Sequence, residues 1–304
     1  MPLLKAEAEK LSNNELVAGV IEEIIDRDPL FYLLPFQGVN GKAYVYDREN
    51  TLSEADFLDP NDAVNEGAAT FTEVTARLRI LAGDVDVDKF LQATMSDTNN
   101  QKAIQIAAKA KALARKFRRT LVNGDNIANP KEFDGMWKLV ANDRKIAAGA
   151  GPTNNLSLSM LDELLDAVPN GADFIMMRPG TLRYYRGLLR ATGGTEPQHI
   201  MIKDFGMVMA HNGVPIIVND FMSNVEALNG SALTGGTYAS VYAGRLNEAD
   251  GIHGIYGGSS AGIVVEDIGT VQNKDATRTR LKWYCGLALK STKSLARIHG
   301  LSNV

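Results

Sequence analysis

The segment Gly258-Ser259-Ser260-Ala261-Gly262 has the spacing of the turn that presents a hydrolase nucleophile, and Asp267 or Asp275 followed by His299 gives the matching acid-then-histidine order. Such a turn must join a strand to a helix, because the helix amides sit beneath the serine. Here the β-branched run Ile263-Val264-Val265 follows and predicts a strand. The reading is a glycine-rich turn between strands, with a serine hydrolase using Ser260 as the competing enzyme hypothesis. Asp84-Val85-Asp86-Val87-Asp88 mimics the opening of a calcium loop, but Lys89 stands where that loop needs glycine and Met95 where it needs a bidentate glutamate. Its alternating valines predict a strand end with solvated acids. His199, His211, His253 and His299 are far apart, with no second histidine or cysteine at metal-ligand spacing. Cys285 falls on the apolar side of an alternating segment, the place of an inert core thiol. No phosphate-cradling glycine loop occurs. No catalytic, cofactor-binding or metal-binding residue emerges, and no cofactor is expected.

Composition narrows the classes further. The 304 residues carry 32 basic and 36 acidic side chains and are 45% hydrophobic. That apolar content suits a globular chain rather than a disordered one, and the length accommodates one large domain or two of medium size. The formal charge of −4 argues against a dedicated nucleic-acid binder. A single cysteine excludes an internal disulfide framework. No run of about 18 uncharged apolar residues is present to cross a membrane as a helix, and Met1–Lys5 leads into Glu7, Glu9 and Lys10 rather than into a secretory signal.

The elements implied by the pattern are unusual in their proportions. Leu11, Leu16, Val20, Ile21, Ile24 and Ile25 form one helical stripe, ended by Pro29 and by Leu30–Leu34, which is expected to dock extended before Pro35. Residues 36–90 read as a long hairpin. Gly41–Tyr46 is its outgoing strand, and Thr72, Val74, Ala76, Leu78, Ile80 and Ala82 share the apolar face of the return strand. Between them, residues 47–66 hold seven acids and one base, a net −6. Such a tip cannot fold inward. Residues 99–122 predict a helix, with Ile106, Ala110, Leu113, Phe117 and Leu121 as its stripe, cap chemistry at Ser96–Thr98 and a stop at Asn123-Gly124. It contains seven bases and no acid, so pairs within the helix cannot neutralise it.

Beyond a turn-rich loop, the Gly/Ala/Pro/Asn-rich stretch 147–155 marks a boundary. An α/β unit follows: a helix over Met160–Val168 capped by Ser157 or Ser159, a buried strand at Phe174–Met177, and a helix capped by Thr181 that runs to Arg190 and stops at Gly193-Gly194. Strands at Met207–Ala210 and Val214–Val218 meet at the tight turn Asn212-Gly213. From Gly230 onward the pattern is β-rich, and Leu281, Trp283, Cys285, Leu287 and Leu289 alternate with Arg280, Lys282 and Tyr284 in the last clear strand.

In this order the chain resembles the Hong Kong 97-type major capsid proteins of tailed double-stranded DNA bacteriophages. The likeness rests on Leu121-Val122-Asn123-Gly124-Asp125 with Phe133-Asp134-Gly135-Met136, on Phe174–Pro179 before a short helix, and on Gly213–Val218. Tyr242-Ala243-Gly244, Val264–Asp267 and the closing strand Leu281–Leu289 complete it. The resemblance implies an α+β fold with an N-terminal arm at 1–35 and an E-loop at 36–90. It implies a P-domain at 91–150 and 235–304 with a spine helix at 99–122, and an A-domain at 151–234. It also implies a structural role: hexamers and pentamers closing into an icosahedral shell around packaged double-stranded DNA, contacted non-specifically. The setting would be the virion capsid, assembled in the host bacterial cytoplasm. The partners would be the chain itself, a portal protein, and separate scaffolding and decoration proteins where these exist. An encapsulin compartment shares the fold and is the nearest alternative. Two departures follow. An arm of 35 residues leaves no room for a cleaved scaffolding segment. With only Lys42 at the hairpin base and no asparagine in Leu281–His299, lysine–asparagine crosslinking is not expected.

Charge suggests how copies meet. Glu49, Glu54, Asp56, Asp59, Asp62 and Glu66 on the tip are expected to face a neighbour's basic helix, at Lys102, Lys109 and Lys116. Each exposed pair contributes about 0–1 kcal/mol, multiplied by repetition over a shell.

Overall fold

The computed structural model describes residues 30, 33–53, 55–60, 62–64, 66–89, 101–149, 151, 154–192, 198–202, 206–258, 261–272 and 274–302. The arm up to Pro29, the cap residues Ser96–Thr98, Glu54, Gly193-Gly194, Ser259 and Ser260 lie outside the described residues. Of Leu30–Leu34, expected to dock extended, Phe31 and Tyr32 also lie outside the described residues, and Leu34 N–H donates to Leu30 C=O at 2.8 Å, the bond of a helical turn. Both leucines are buried, so one turn is enough to bring the two apolar side chains onto the same face.

Strand β1 (Phe36–Val39) is followed by the hairpin strands β2 (Ala43–Thr51) and β3 (Thr70–Arg77), which among the described residues pair only with each other. The expected return strand breaks at Leu78, and β4 (Arg79–Asp88) leaves the hairpin for another sheet. The break reverses the phase of the alternation. Val74 and Ala76 are partly covered, but Ile80, placed on the buried face by the sequence pattern, is 73% exposed, while Leu81, Val85 and Val87 turn inward.

Helix α1 (Gln101–Asn123) is about 34 Å long. All five residues of its predicted stripe are buried. Gly124 ends it where the returning loop crosses: a Cβ there would lie 2.3 Å from Phe133 C=O. The short helix α2 (Met136–Leu139) leads to β5 (Lys145–Ala147). Helix α3 (Leu158–Asp166) is capped by Ser157, whose Oγ accepts from Met160 N–H. After β6 (Phe174–Met177), helix α4 (Pro179–Ala191) starts two residues before the expected Thr181 cap. Pro179 takes the first helical position, where its fixed φ fits and its missing N–H costs nothing; Thr181 is buried inside the first turn. Strands β7 (Gln198–Ile202), β8 (Gly206–His211) and β9 (Val214–Val218) come next. Asn212 and Gly213 join the last two with φ of 49° and 83°, the left-handed pair that a tight hairpin turn requires. The remaining strands are β10 (Ala239–Gly244), β11 (Ile252–Gly257), β12 (Val264–Thr270), β13 (Ala276–Leu289) and β14 (Leu295–Leu301).

Two sheets organise the body. In the first, β13 pairs on one edge with β4 and on the other with β12 and β11, and β1 adds in parallel beyond β11. Helix α1 packs on this sheet, with the Phe117 ring 4.5 Å from Trp283, 6.5 Å from Phe36 and 5.7 Å from Phe133. The second sheet runs β5-β14-β10-β6-β9-β8-β7. Its residues Ile175, Met177, Val241, Ala243, Ala296 and Ile298 face α3 and α4, while Phe174, Met176, Tyr242 and Leu295 enter the first core. The pairing cuts across the boundaries drawn from sequence. β4 joins the first sheet rather than the hairpin, and β5, β10 and β14 join the strands of 151–234.

The last strand holds a buried charge. Arg297, 0% exposed, donates to Glu226 Oε2 at 2.7 Å, to Ser240 Oγ at 2.8 Å and to Gly230 C=O at 3.1 Å. Burial pushes the Glu226 carboxyl upward, against the pull of Arg297. The network ties the long loop before β10 to the sheet. Breaking it from one side, as in Arg297→Met, strands the carboxylate and is expected to cost about 3–5 kcal/mol in urea denaturation. Adding Glu226→Gln to that variant should recover part of the loss.

Candidate assembly surfaces

The acid and the histidine of the hydrolase pattern fall in different sheets, and its serine lies outside the described residues. Strand β11 is followed in the chain by strand β12, not by a helix. Asp267, on β12 in the first sheet, accepts from Lys102. His299, on β14 in the second, is placed against Leu228 C=O at 3.1 Å. Asp275 pairs with Lys89. Among the described residues no group of three or more His, Cys, Asp or Glu is placed to hold a metal ion, and no helix is long and apolar enough to cross a membrane. Cys285 is buried and its thiol is pushed strongly upward by desolvation.

The acids of 84–88 are more than solvated strand-end residues. Arg280 donates to Asp84 at 2.7 and 2.8 Å and Arg278 to Asp86 at 2.7 Å twice, two forked pairs across β13 and β4. Hydrogen bonds from these arginines hold both carboxyls below their usual value.

The hairpin base is seated by polar contacts at the end of β13. Tyr46 O–H donates to Leu289 C=O at 2.5 Å, and Arg48 donates to Lys290 C=O at 2.6 Å and also to Leu289 C=O. Tyr44 stands edge-on to His253, 5.7 Å between ring centres, with the Lys290 ammonium 5.5 Å from the Tyr44 ring. His253 is buried, and desolvation, helped by Lys290, pushes its imidazole down to about 4. Open clefts of about 310 and 520 Å³ flank this seat.

Beyond Arg48 the hairpin leaves the body. Glu49, Asp56, Asp59, Asp62 and Glu66 are all exposed; Glu54 lies outside the described residues. The Asp62 carboxylate accepts from Asp59 N–H at 2.9 Å and shapes the tip turn. What the sequence reading missed is that apolar side chains share this exposure: Phe57 at 108%, with Leu52, Val64 and Phe71 also open. The Phe57-Leu58 pair inside an acidic run was the available signal. On the basic helix, Lys102 pairs with Asp267 at 2.8 Å and Lys116 with Glu132 at 2.5 Å, so both already have partners within the chain. Lys109 lies across Gly83, near Asp84.

No protein-family model matches the chain, nor does any curated protein sequence. Solved structures do. The holo-SrpI encapsulin complex of Synechococcus elongatus aligns with a TM-score of 0.71 at 18% identity over 90% of this chain and 86% of that one. The capsid of an empty GTA particle aligns at 0.61 and 15% identity over 90% and 89%. Microbacterium phage Oxtober96 aligns at 0.63 and 12% over 89% and 90%. The chain has the Hong Kong 97-type capsid fold.

With this fold, the hairpin seat is expected to respond to pH. An unfolded imidazole near 6.5 binds its proton more readily than buried His253. Stability is therefore full above pH 6.5, falls as the pH drops toward 4, and stops falling below that. Urea denaturation at pH 7 and pH 4.5 should show a smaller loss for His253→Phe than for the natural chain. The tip behaves differently: Phe57→Ser is expected to leave monomer stability within about 0.5 kcal/mol while lowering the assembled fraction in light scattering.

Proposed function

We propose that the chain is a structural shell subunit, a major capsid protein whose hexamers and pentamers close into an icosahedral shell around phage double-stranded DNA. The observation that carries this reading is the acidic hairpin tip with fully exposed Phe57, standing off a body that offers it no cover, in a fold shared with capsids and encapsulins. In this reading residues 36–90 act as the E-loop, α1 as the spine helix, 91–150 and 235–304 as the P-domain and 151–234 as the A-domain. The tip docks on a neighbour's cationic surface, Lys109 included. Lys102 and Lys116 contribute by sharing charge with Asp267 and Glu132. A portal protein, scaffolding and decoration proteins, and the virion as location belong to the same proposal. The work done is geometric, and no catalytic residue is assigned.

A second reading, an encapsulin that encloses a protein cargo, is favoured by the higher TM-score, 0.71, of the SrpI encapsulin. Electron microscopy of the purified chain separates the possibilities. Closed shells of uniform diameter are expected, and raised salt should lower their yield, because charge contacts are screened over about 8 Å at physiological ionic strength. Nuclease-protected DNA in shells from the native source supports the capsid reading; a co-purifying enzyme without DNA supports the compartment. A chain that stays monomeric at high concentration, or that a fluorophosphonate labels at Ser260, overturns both.

A further inference from the structure

The wider of the two clefts beside the hairpin seat, about 520 Å³, is lined by charges of one sign. Arg48 reaches it from β2, Lys138 from α2 and Lys145 from β5, and no aspartate or glutamate contributes to its wall. The acids nearest in the chain lie outside that wall: Asp125 meets Lys138 at 3.3 Å, and Asp143 pairs with Arg144. Among the described residues Arg48 and Lys145 form no ion pair. Arg48 donates to the Leu289 and Lys290 carbonyls and Lys145 to Asn142 Oδ1 at 2.8 Å, neutral acceptors that leave both charges uncompensated. Burial lowers the Lys145 ammonium, and the charges of Arg297 and Lys138 push the same way. Two neutral donors complete the wall. The indole Nε1 of Trp137 is buried without an acceptor among the described residues, and Thr292 supplies a hydroxyl.

We propose that this cleft binds a small phosphate-bearing anion of two or more charges, and that the bound anion clamps the base of the hairpin to the body. Cations that converge without a carboxylate repel one another, and a shared anion turns that repulsion into charge-assisted hydrogen bonds. A phosphate group brings several acceptor oxygens to a wall that carries donors and no acid. The volume lies within the range of small-molecule sites. A DNA duplex is a poorer occupant, because its charge repeats about every 1.7 Å along a rod, whereas these cations converge on one hollow from three elements. The clamp follows from where they are mounted: Arg48 belongs to the hairpin, and Lys138 and Lys145 belong to the body. The proposal goes beyond the shell reading and holds for either kind of shell.

Pyrophosphate is the probe, and tryptophan emission reads the cleft. The chain has two tryptophans, and Trp283 is only 2% exposed in the first core, so a change on titration reports Trp137. The natural chain should show a saturable change in emission and a higher melting temperature with pyrophosphate present; Trp137→Phe should lose the emission change. In calorimetry, Lys138→Gln with Lys145→Gln should weaken pyrophosphate binding at least about tenfold. The control Lys131→Gln with Lys274→Gln removes the same charge from exposed positions outside the cleft and should alter binding by less than about twofold. Circular dichroism checks that both pairs fold. Hydrogen exchange on the natural chain needs no variant: pyrophosphate should slow the amides of Ala43–Arg48. No saturable binding by the natural chain, equal weakening in the two lysine pairs, or unchanged exchange over Ala43–Arg48 overturns the proposal. So does binding of a double-stranded DNA oligomer that depends on Lys138 and Lys145 when pyrophosphate does not bind, which would give the cleft to nucleic acid. Shell formation is read separately by microscopy, so failure of the cleft leaves the shell reading standing, and failure of the shells leaves the cleft.

Discussion

A two-stranded ribbon has no third layer against which to bury its apolar side chains, and a chain that grows one must find that layer elsewhere. Here β2 and β3 pair, among the described residues, with nothing but each other, and every described residue from Glu49 to Phe71 is exposed. Folding back is blocked by charge: Glu49, Asp56, Asp59, Asp62 and Glu66 could be buried only with partners. Yet Phe57, Leu52, Val64 and Phe71 are left in water by the same geometry. Acid and aromatic together make a surface that repels its own core while remaining costly to leave exposed.

The rest of the fold gives this ribbon a fixed seat. Strand β13 takes partners on both edges, and its Trp283 meets Phe117 of the long helix and Phe36 of β1 in one aromatic cluster. Helix and sheet are therefore referenced to a common point, and the hairpin is seated at the end of the same strand. At the seat itself the anchors are polar and directional, Tyr46 and Arg48 on backbone oxygens of Leu289 and Lys290. Such bonds fix an angle without filling space, which leaves open clefts on both sides.

What could be read in the sequence depended on whether a segment finds its partners locally. The long helix was legible because Ile106, Ala110, Leu113, Phe117 and Leu121 all face one sheet. Phe174–Met177 was legible because a short continuous apolar run before Pro179 fits a strand covered on both faces. The phase of β4 was not: Leu78-Arg79-Ile80-Leu81 suits either alternation, and the choice is made by pairing with β13, some two hundred residues away. Strand β14 was missed because Arg297 and His299 argue against a buried strand, and Glu226, which makes Arg297 tolerable, is 71 residues distant. The tip acids were found by charge alone. That Lys102 and Lys116 have partners in their own chain needed the fold, since Asp267 and Glu132 reach them through tertiary contacts.

The account turns on the hairpin tip being covered by a sister chain. Hydroxyl-radical footprinting of Phe57 and Phe71, on dissociated subunits and on assembled material, measures that cover directly. Strong labelling of both in the subunit and marked protection in the assembly is the predicted result. Assemblies in which the two phenylalanines label as fast as in the free chain would contradict it, because the fold would then build its shells without the contact for which the hairpin extends.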